Sequence, residues 1–208
     1  MSENHENKLN NQNEVIPDST PSSPQKKTSL FKSTIEQIEL IIIAFAIIIL
    51  IFSFVTRTCE VSGASMEDTL YHKETVLISN LFYSPERGDI IVFHQTGEKY
   101  NEPIVKRVIG LPGDTVKIEY INNSMLVTVT DAQGNSQTLE EDYIKYTQTG
   151  FYSNSVTYVE DGHLFVLGDN RSVSADSRSQ DIGQIDQRRI LGKVILRLTP
   201  FSRFGAVK

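Results

Sequence analysis

A serine and a lysine carry the chemistry this sequence could do. Ser65 stands in Gly63-Ala64-Ser65-Met66-Glu67-Asp68-Thr69-Leu70, and Lys106 in Ile104-Val105-Lys106-Arg107-Val108-Ile109-Gly110-Leu111-Pro112-Gly113-Asp114. A hydroxyl is a weak nucleophile until a base takes its proton, and a neutral lysine amine can be that base. In a strand alternate residues share a face, so Lys106 lies beside Ile104 and Val108, while Arg107 points the other way with Val105 and Ile109. If the first face is buried, desolvation disfavours the ammonium form and lowers its pKa. If the strand is an edge, Lys106 reaches water and keeps its charge. The segment alone leaves both readings open. Gly63 lets the chain turn tightly ahead of Ser65, and Met66 sets an apolar side chain beside the hydroxyl. Taken alone, a serine at a turn more often bonds its own backbone.

A third stretch, Gly168-Asp169-Asn170-Arg171-Ser172-Val173-Ser174-Ala175-Asp176-Ser177-Arg178, mixes small, acidic and basic residues. Such a mixture usually marks a solvated loop, but Asp169, Arg171, Asp176 and Arg178 can form charge-assisted pairs that hold one shape, and a hydroxyl there could orient an amine. A serine-histidine-aspartate triad fits less well. Outside the N-terminal tail only His72, His94 and His163 are available, and Glu67 breaks the G-x-S-x-G elbow pattern. The calcium-loop reading of Asp169 with Asn170 fits no better, because no bidentate glutamate follows at the required spacing. No metal and no cofactor is expected.

The elements that must position these residues follow from the rest of the 208-residue chain. A net charge of -6 without a Lys/Arg block lacks the electrostatic footprint of a nucleic-acid binder. The single cysteine, Cys59, excludes an internal disulfide and a cysteine zinc cluster. Residues 1–33 are rich in Asn, Gln, Ser and Pro and read as a disordered tail. Residues 34–56 enclose the apolar run 40–55, broken only by Ser53, with no polar stripe at helical period. A cleaved signal peptide would have a shorter apolar core and would not follow so long a polar tail. The expectation is one uncleaved transmembrane signal anchor. Lys26, Lys27 and Lys32 precede it and only Arg57 follows closely, which places the tail in the cytoplasm and the remainder outside.

Beyond the anchor, two-residue alternation predicts strands at 75–78, 89–93, 104–109, 115–120, 125–130, 137–140, 156–159, 163–167 and 190–198. A hairpin is expected around Asp131-Ala132-Gln133-Gly134-Asn135. Residues 57–208 are therefore expected to form a mainly β extracytoplasmic domain of antiparallel sheets, with Greek-key or barrel-like closure.

Taken in order, the anchor, the serine block, Gly88-Asp89-Ile90-Ile91-Val92-Phe93, the lysine block and the stretch from Gly168 to Arg178 resemble the type I signal peptidases of bacteria. The form is the short single-anchor one of Gram-positive species. The resemblance implies Ser65 as nucleophile and Lys106 as general base, with Ser174 hydrogen-bonding the amine. It implies that Asp176 with Arg178, and Asp169 with Arg107, brace the site, and that Gly63 and Met66 belong to the substrate pocket and oxyanion region. Gly63 brings no hydroxyl, so the backbone N–H of Ser65 is left as the main oxyanion donor. The implied substrates are signal peptides of secreted pre-proteins with small residues at the first and third positions before the cut. Membrane lipid and proximity to the secretion translocon are implied as well. Asp68 stands where the family usually has proline, exchanging a stiff neutral residue for a charge. A non-catalytic peptide-binding assembly module on the same fold is the alternative, and it would not need a buried lysine. A self-cleaving serine-lysine protease related to DNA-damage repressors would be soluble, which the anchor opposes.

Overall fold

A computed structural model of the chain describes residues 25–95, 102–122, 124–144 and 153–207. It divides into two units, Met1–Ile47 and Ile48–Lys208. Helix α1 (Gln25–Val55) begins ahead of position 34, where the anchor was expected, and the rest of the expected tail lies outside the described residues. From 34 to 50 its side chains are exposed, including Leu40, Ile41, Phe45 and Ile49. No polar stripe interrupts them, so this helix has no single face to bury on a soluble core. Among the described residues no helix is long and apolar enough to cross a membrane. The expected span continues past residue 50, into side chains outside the described residues.

Among the described residues after α1 the regular structure is nearly all strand: β1 (Thr56–Glu60), β2 (Thr75–Ser79), β3 (Ile90–Phe93), β4 (Ile104–Gly110), β5 (Thr115–Ile121) and β6 (Ser124–Thr130). After these come β7 (Ser136–Thr138), β8 (Ser155–Tyr158), β9 (His163–Leu167), β10 (Ile185–Asp186), β11 (Ile190–Thr199) and β12 (Gly205–Ala206). The larger sheet runs β1-β2-β11-β3-β4-β9-β10, with β12 on β11, and every pairing in it is antiparallel. The expected barrel-like closure is met in part. The strand path ends at β1 on one side and β10 on the other, so the sheet is an open half-barrel. β1, β10 and β12 were not anticipated. Two of them have only two residues, too few to show alternation, and β1 carries Arg57 and Glu60 among half-exposed positions.

A smaller sheet, β7-β6-β5-β8, holds the predicted hairpin. Asp131 closes that turn, its carboxylate accepting from the backbone N–H groups of Gln133 and Asn135 at 2.9 and 2.8 Å.

Strand β3 is buried along its full length because its two faces serve different cores. Ile90 and Val92 pack with Met66, Leu70 and Val76, while Ile91 and Phe93 pack with Val108, Leu164 and Val166. A strand covered on both sides reads as an unbroken apolar run, as this one does. Strand β4 is its neighbour and lies between β3 and β9, so it is not an edge. The second reading of Lys106, a side chain reaching water from an edge strand, is thereby removed.

Candidate active site

Lys106 faces the same core as its β4 neighbours Ile104 and Val108, opposite Ile91 on β3. Only 3% of it is exposed. Its Nζ lies 2.7 Å from Ser65 Oγ and 2.9 Å from its own strand's Val105 carbonyl. Burial pushes the amine down to about 8, while Asp176 and Asp169 pull the other way and Arg178 adds to the fall. The charges acting on the amine thus come from the third stretch. A base whose pKa lies near 8 is neutral often enough to take a hydroxyl proton at neutral pH, and 2.7 Å is within hydrogen-bond reach of that proton.

Ser65 sits in a turn between β1 and β2, anchored from below by Met66, which is 1% exposed and lies in the first core with Leu70. Thr69 and Leu70 donate their N–H groups to the Met66 carbonyl at 2.9 and 2.8 Å, closing the turn. Gly63 adopts φ +87, a backbone conformation open to glycine and strained for other residues. Its N–H donates to His72 Nδ1 at 3.3 Å. The Ser65 carbonyl accepts from Asn170 N–H at 3.1 Å. Among the described residues no acceptor takes the Ser65 N–H. Asp68 turns toward Tyr71, whose hydroxyl donates to its Oδ1 at 3.2 Å.

The third stretch folds as a compact loop after β9. Asp169 is 2% exposed and accepts two hydrogen bonds from Arg107, Nε to Oδ1 at 2.9 Å and Nη2 to Oδ2 at 2.7 Å. Thr69 Oγ1 adds a third at 2.5 Å, which ties the serine turn directly to this pair. Arg107 Nη1 also donates to the Gly88 carbonyl at 2.8 Å, reaching the loop ahead of β3. Asp176 is fully buried and accepts from Arg178 Nε and Nη2, each at 2.8 Å, and from Gly168 N–H at 3.0 Å. Ser174 is 2% exposed, and its Oγ stands where a Cβ on Gly168 would fall. The same Cβ would strike the Ser65 carbonyl, so glycine at 168 is what allows the loop to lie against the serine.

Ser65, Lys106, Gly63 and Met66 all line one groove of about 610 Å³. Its walls come from the segment ahead of Ser65 and from the start of β4, with Val173, Ala175 and Ile182 closing it. Among the described residues no group of His, Cys, Asp and Glu side chains is arranged to hold a metal ion. Three side chains in this network escaped sequence reasoning. Thr69 lies in the serine block itself, but its partner Asp169 is 100 residues away in sequence. Glu141 and Tyr143, which contact Arg171 and Arg107, lie in an acidic connection with nothing in its pattern to distinguish it.

Comparison with known proteins gives this arrangement a family. The model described as "Signal peptidase, peptidase S26" matches residues 34–199. Signal peptidase IB of Staphylococcus aureus (strain Mu50) is 35% identical over 192 residues, spanning 83% of this chain and 93% of its own. A probable signal peptidase I-1 of Synechocystis sp. is 33% identical over 179 residues, spanning 82% of this chain and 85% of its own. A crystal structure of a signal peptidase I from Enterococcus faecalis V583 aligns with 54% of this chain and 97% of its own, at 28% identity and a TM-score of 0.34. With a family match over most of the chain and relatives matched along most of their own length, the chain belongs to the signal peptidases of the peptidase S26 family, serine endopeptidases of type I.

Proposed function

We propose that this chain removes signal peptides from exported pre-proteins with Ser65 as nucleophile and Lys106 as general base. The single observation that carries this reading is the 2.7 Å contact between Ser65 Oγ and Lys106 Nζ at a buried, pKa-lowered amine. Lys106 takes the hydroxyl proton as Oγ adds to the scissile carbonyl, and the oxyanion forms beside the Ser65 N–H. The tetrahedral intermediate collapses as the Lys106 ammonium returns its proton to the leaving amine, leaving an ester on Ser65. Lys106, neutral again, deprotonates a water that hydrolyses the ester and frees the enzyme. The Ser174 hydroxyl orients the amine, while the pairs Arg107/Asp169 and Arg178/Asp176 hold the loop and strand in place.

The substrate segment lies extended in the groove and adds backbone hydrogen bonds as a strand would. Groove walls made of Val61, Ala64, Ile104, Val173, Ala175 and Ile182 support small side chains at the first and third positions before the cut. A larger side chain would overpack such shallow apolar pockets. The apolar residues that α1 exposes support anchoring in the cytoplasmic membrane, with the tail inside and the peptidase domain on the outer face. Enzyme and signal helix held in one bilayer near the translocon meet at raised effective concentration.

Incubating the detergent-solubilised chain with a model pre-protein and mapping the cut by mass spectrometry tests activity and specificity together. Cleavage after a small-x-small site is expected, and Ser65→Ala and Lys106→Ala are each expected to abolish it without loss of fold. Full activity in either variant would remove the mechanism.

A further inference from the structure

The connection between β7 and β8 belongs by sequence to the small sheet, yet two of its side chains grip the loop and strand that carry the candidate dyad. Tyr143 lays its ring over the Arg107 guanidinium, 3.9 Å from its carbon to the ring centroid. Arg107 is the guanidinium that clamps Asp169, and Asp169 in turn receives the Thr69 hydroxyl of the serine turn. Tyr143 also donates its own hydroxyl to Glu141 Oε1 at 2.6 Å. Glu141 accepts from Arg171, Nη1 to Oε2 at 2.8 Å and Nη2 to Oε1. Arg171 is 1% exposed, and its Nε donates to the Gly168 carbonyl at 3.1 Å while its own carbonyl accepts from Arg178 Nη2 at 2.9 Å. Gly168 is the residue that lies against the Ser65 carbonyl and Ser174.

From this chain of contacts we infer that Glu141 and Tyr143 are positioning residues for the reaction, acting on Ser65 and Lys106 through Arg171 and Arg107. Neither touches the dyad. Tyr143 covers the guanidinium, which keeps water from competing for the Arg107/Asp169 pair and holds the Asp169 charge at a set distance from Lys106. Glu141 neutralises a buried arginine whose remaining donor fixes the Gly168 carbonyl. The fold places both residues on a segment outside the half-barrel, so the small sheet is wired to the geometry of the dyad.

The inference rests on the Ser65/Lys106 reading, and the test separates the two. Tyr143→Leu, Tyr143→Phe and Glu141→Gln are compared with the parent for kcat, KM and the pH at which activity falls on the acid side, with folding followed by thermal melting. Tyr143→Leu is expected to lower kcat about tenfold with KM little changed and to displace the acid limb, because the Asp169 charge acting on Lys106 is no longer held. Tyr143→Phe keeps the ring and is expected to restore both readouts. Glu141→Gln keeps the shape of the clamp without its charge, and a smaller loss in the same direction is expected. Either residue's role is overturned if its variant keeps the parent's kcat and acid limb, or if kcat falls only in step with loss of folded protein. Equal impairment in Tyr143→Phe would overturn the stacking on Arg107. An active Ser65→Ala would instead overturn the dyad reading, a different result from any of these.

Discussion

Lys106 and Arg107 are adjacent on β4, both only 3% exposed, and their surroundings send them opposite ways. Lys106 meets a hydroxyl and a carbonyl, neither of which carries a charge, and burial pushes its amine down to about 8. Arg107 meets the Asp169 carboxylate through two parallel bonds, and that pairing outweighs its burial, holding its pKa above the ordinary value. Burial is thus common to both faces of the strand. What differs is whether an opposite charge is within bonding distance, and that difference makes one side chain a base and the other a brace.

Replacing each cation by a neutral side chain of similar length breaks the comparison most sharply. Lys106→Met is expected to reduce kcat by about 10²–10⁴-fold, the usual contribution of a general base, with a melting temperature equal to or above the parent's. The removed amine was costly to bury, roughly 3 kcal/mol at neutral pH for a fall from 10.5 to about 8. Arg107→Met is expected to destabilise by about 3–5 kcal/mol, because it strands the Asp169 carboxylate in the interior. Equal destabilisation by the two substitutions in denaturant melts would contradict the distinction.

The pH dependence sharpens it further. Since the amine must be neutral to act, kcat/KM should rise with pH through about 8 and level off above it. The folded state holds Lys106 below its ordinary value, so the unfolded chain binds more protons between about 8 and 10.5. Lys106 therefore makes stability rise with pH across that window, and the full cost of its burial is felt below it. A pH-rate profile measured with a short peptide substrate checks the first statement, and a flat acid limb would contradict it. The smallest effect belongs to a pair with neither burial nor consequence. Lys117 and Glu119 lie 2.9 Å apart on β5 with side chains 49% and 33% exposed, and Lys117→Ala should leave both activity and stability within about 0.5 kcal/mol of the parent.

Legibility followed the length and regularity of each signal. The strands around the site could be read because β3, β4 and β9 carry long runs of β-branched and aromatic residues. The open edge of the half-barrel could not, because closure depends on which strands meet, and β10 and β12 have two residues each. Within the site, Ser65, Lys106 and the loop from Gly168 to Arg178 announced themselves by residue type and by resemblance to a family. Thr69 and Asn170 lie within those same blocks, but nothing in the blocks says that Thr69 reaches Asp169 or that the Asn170 N–H reaches the Ser65 carbonyl. Glu141 and Tyr143 gave no signal at all, since an acidic run between strands is ordinarily a solvated connection.

By itself the order of residues determined the strand pattern, the apolar N-terminal helix and the chemical types available for catalysis, because these depend on local periodicity and side-chain chemistry. It left undecided whether Lys106 would be charged. Only the tertiary structure decided that, by setting β4 between two strands and by giving the nearby carboxylates to Arg107 and Arg178. The energy of a charge depends on its distance from other charges and from water, and those distances are properties of the folded chain alone.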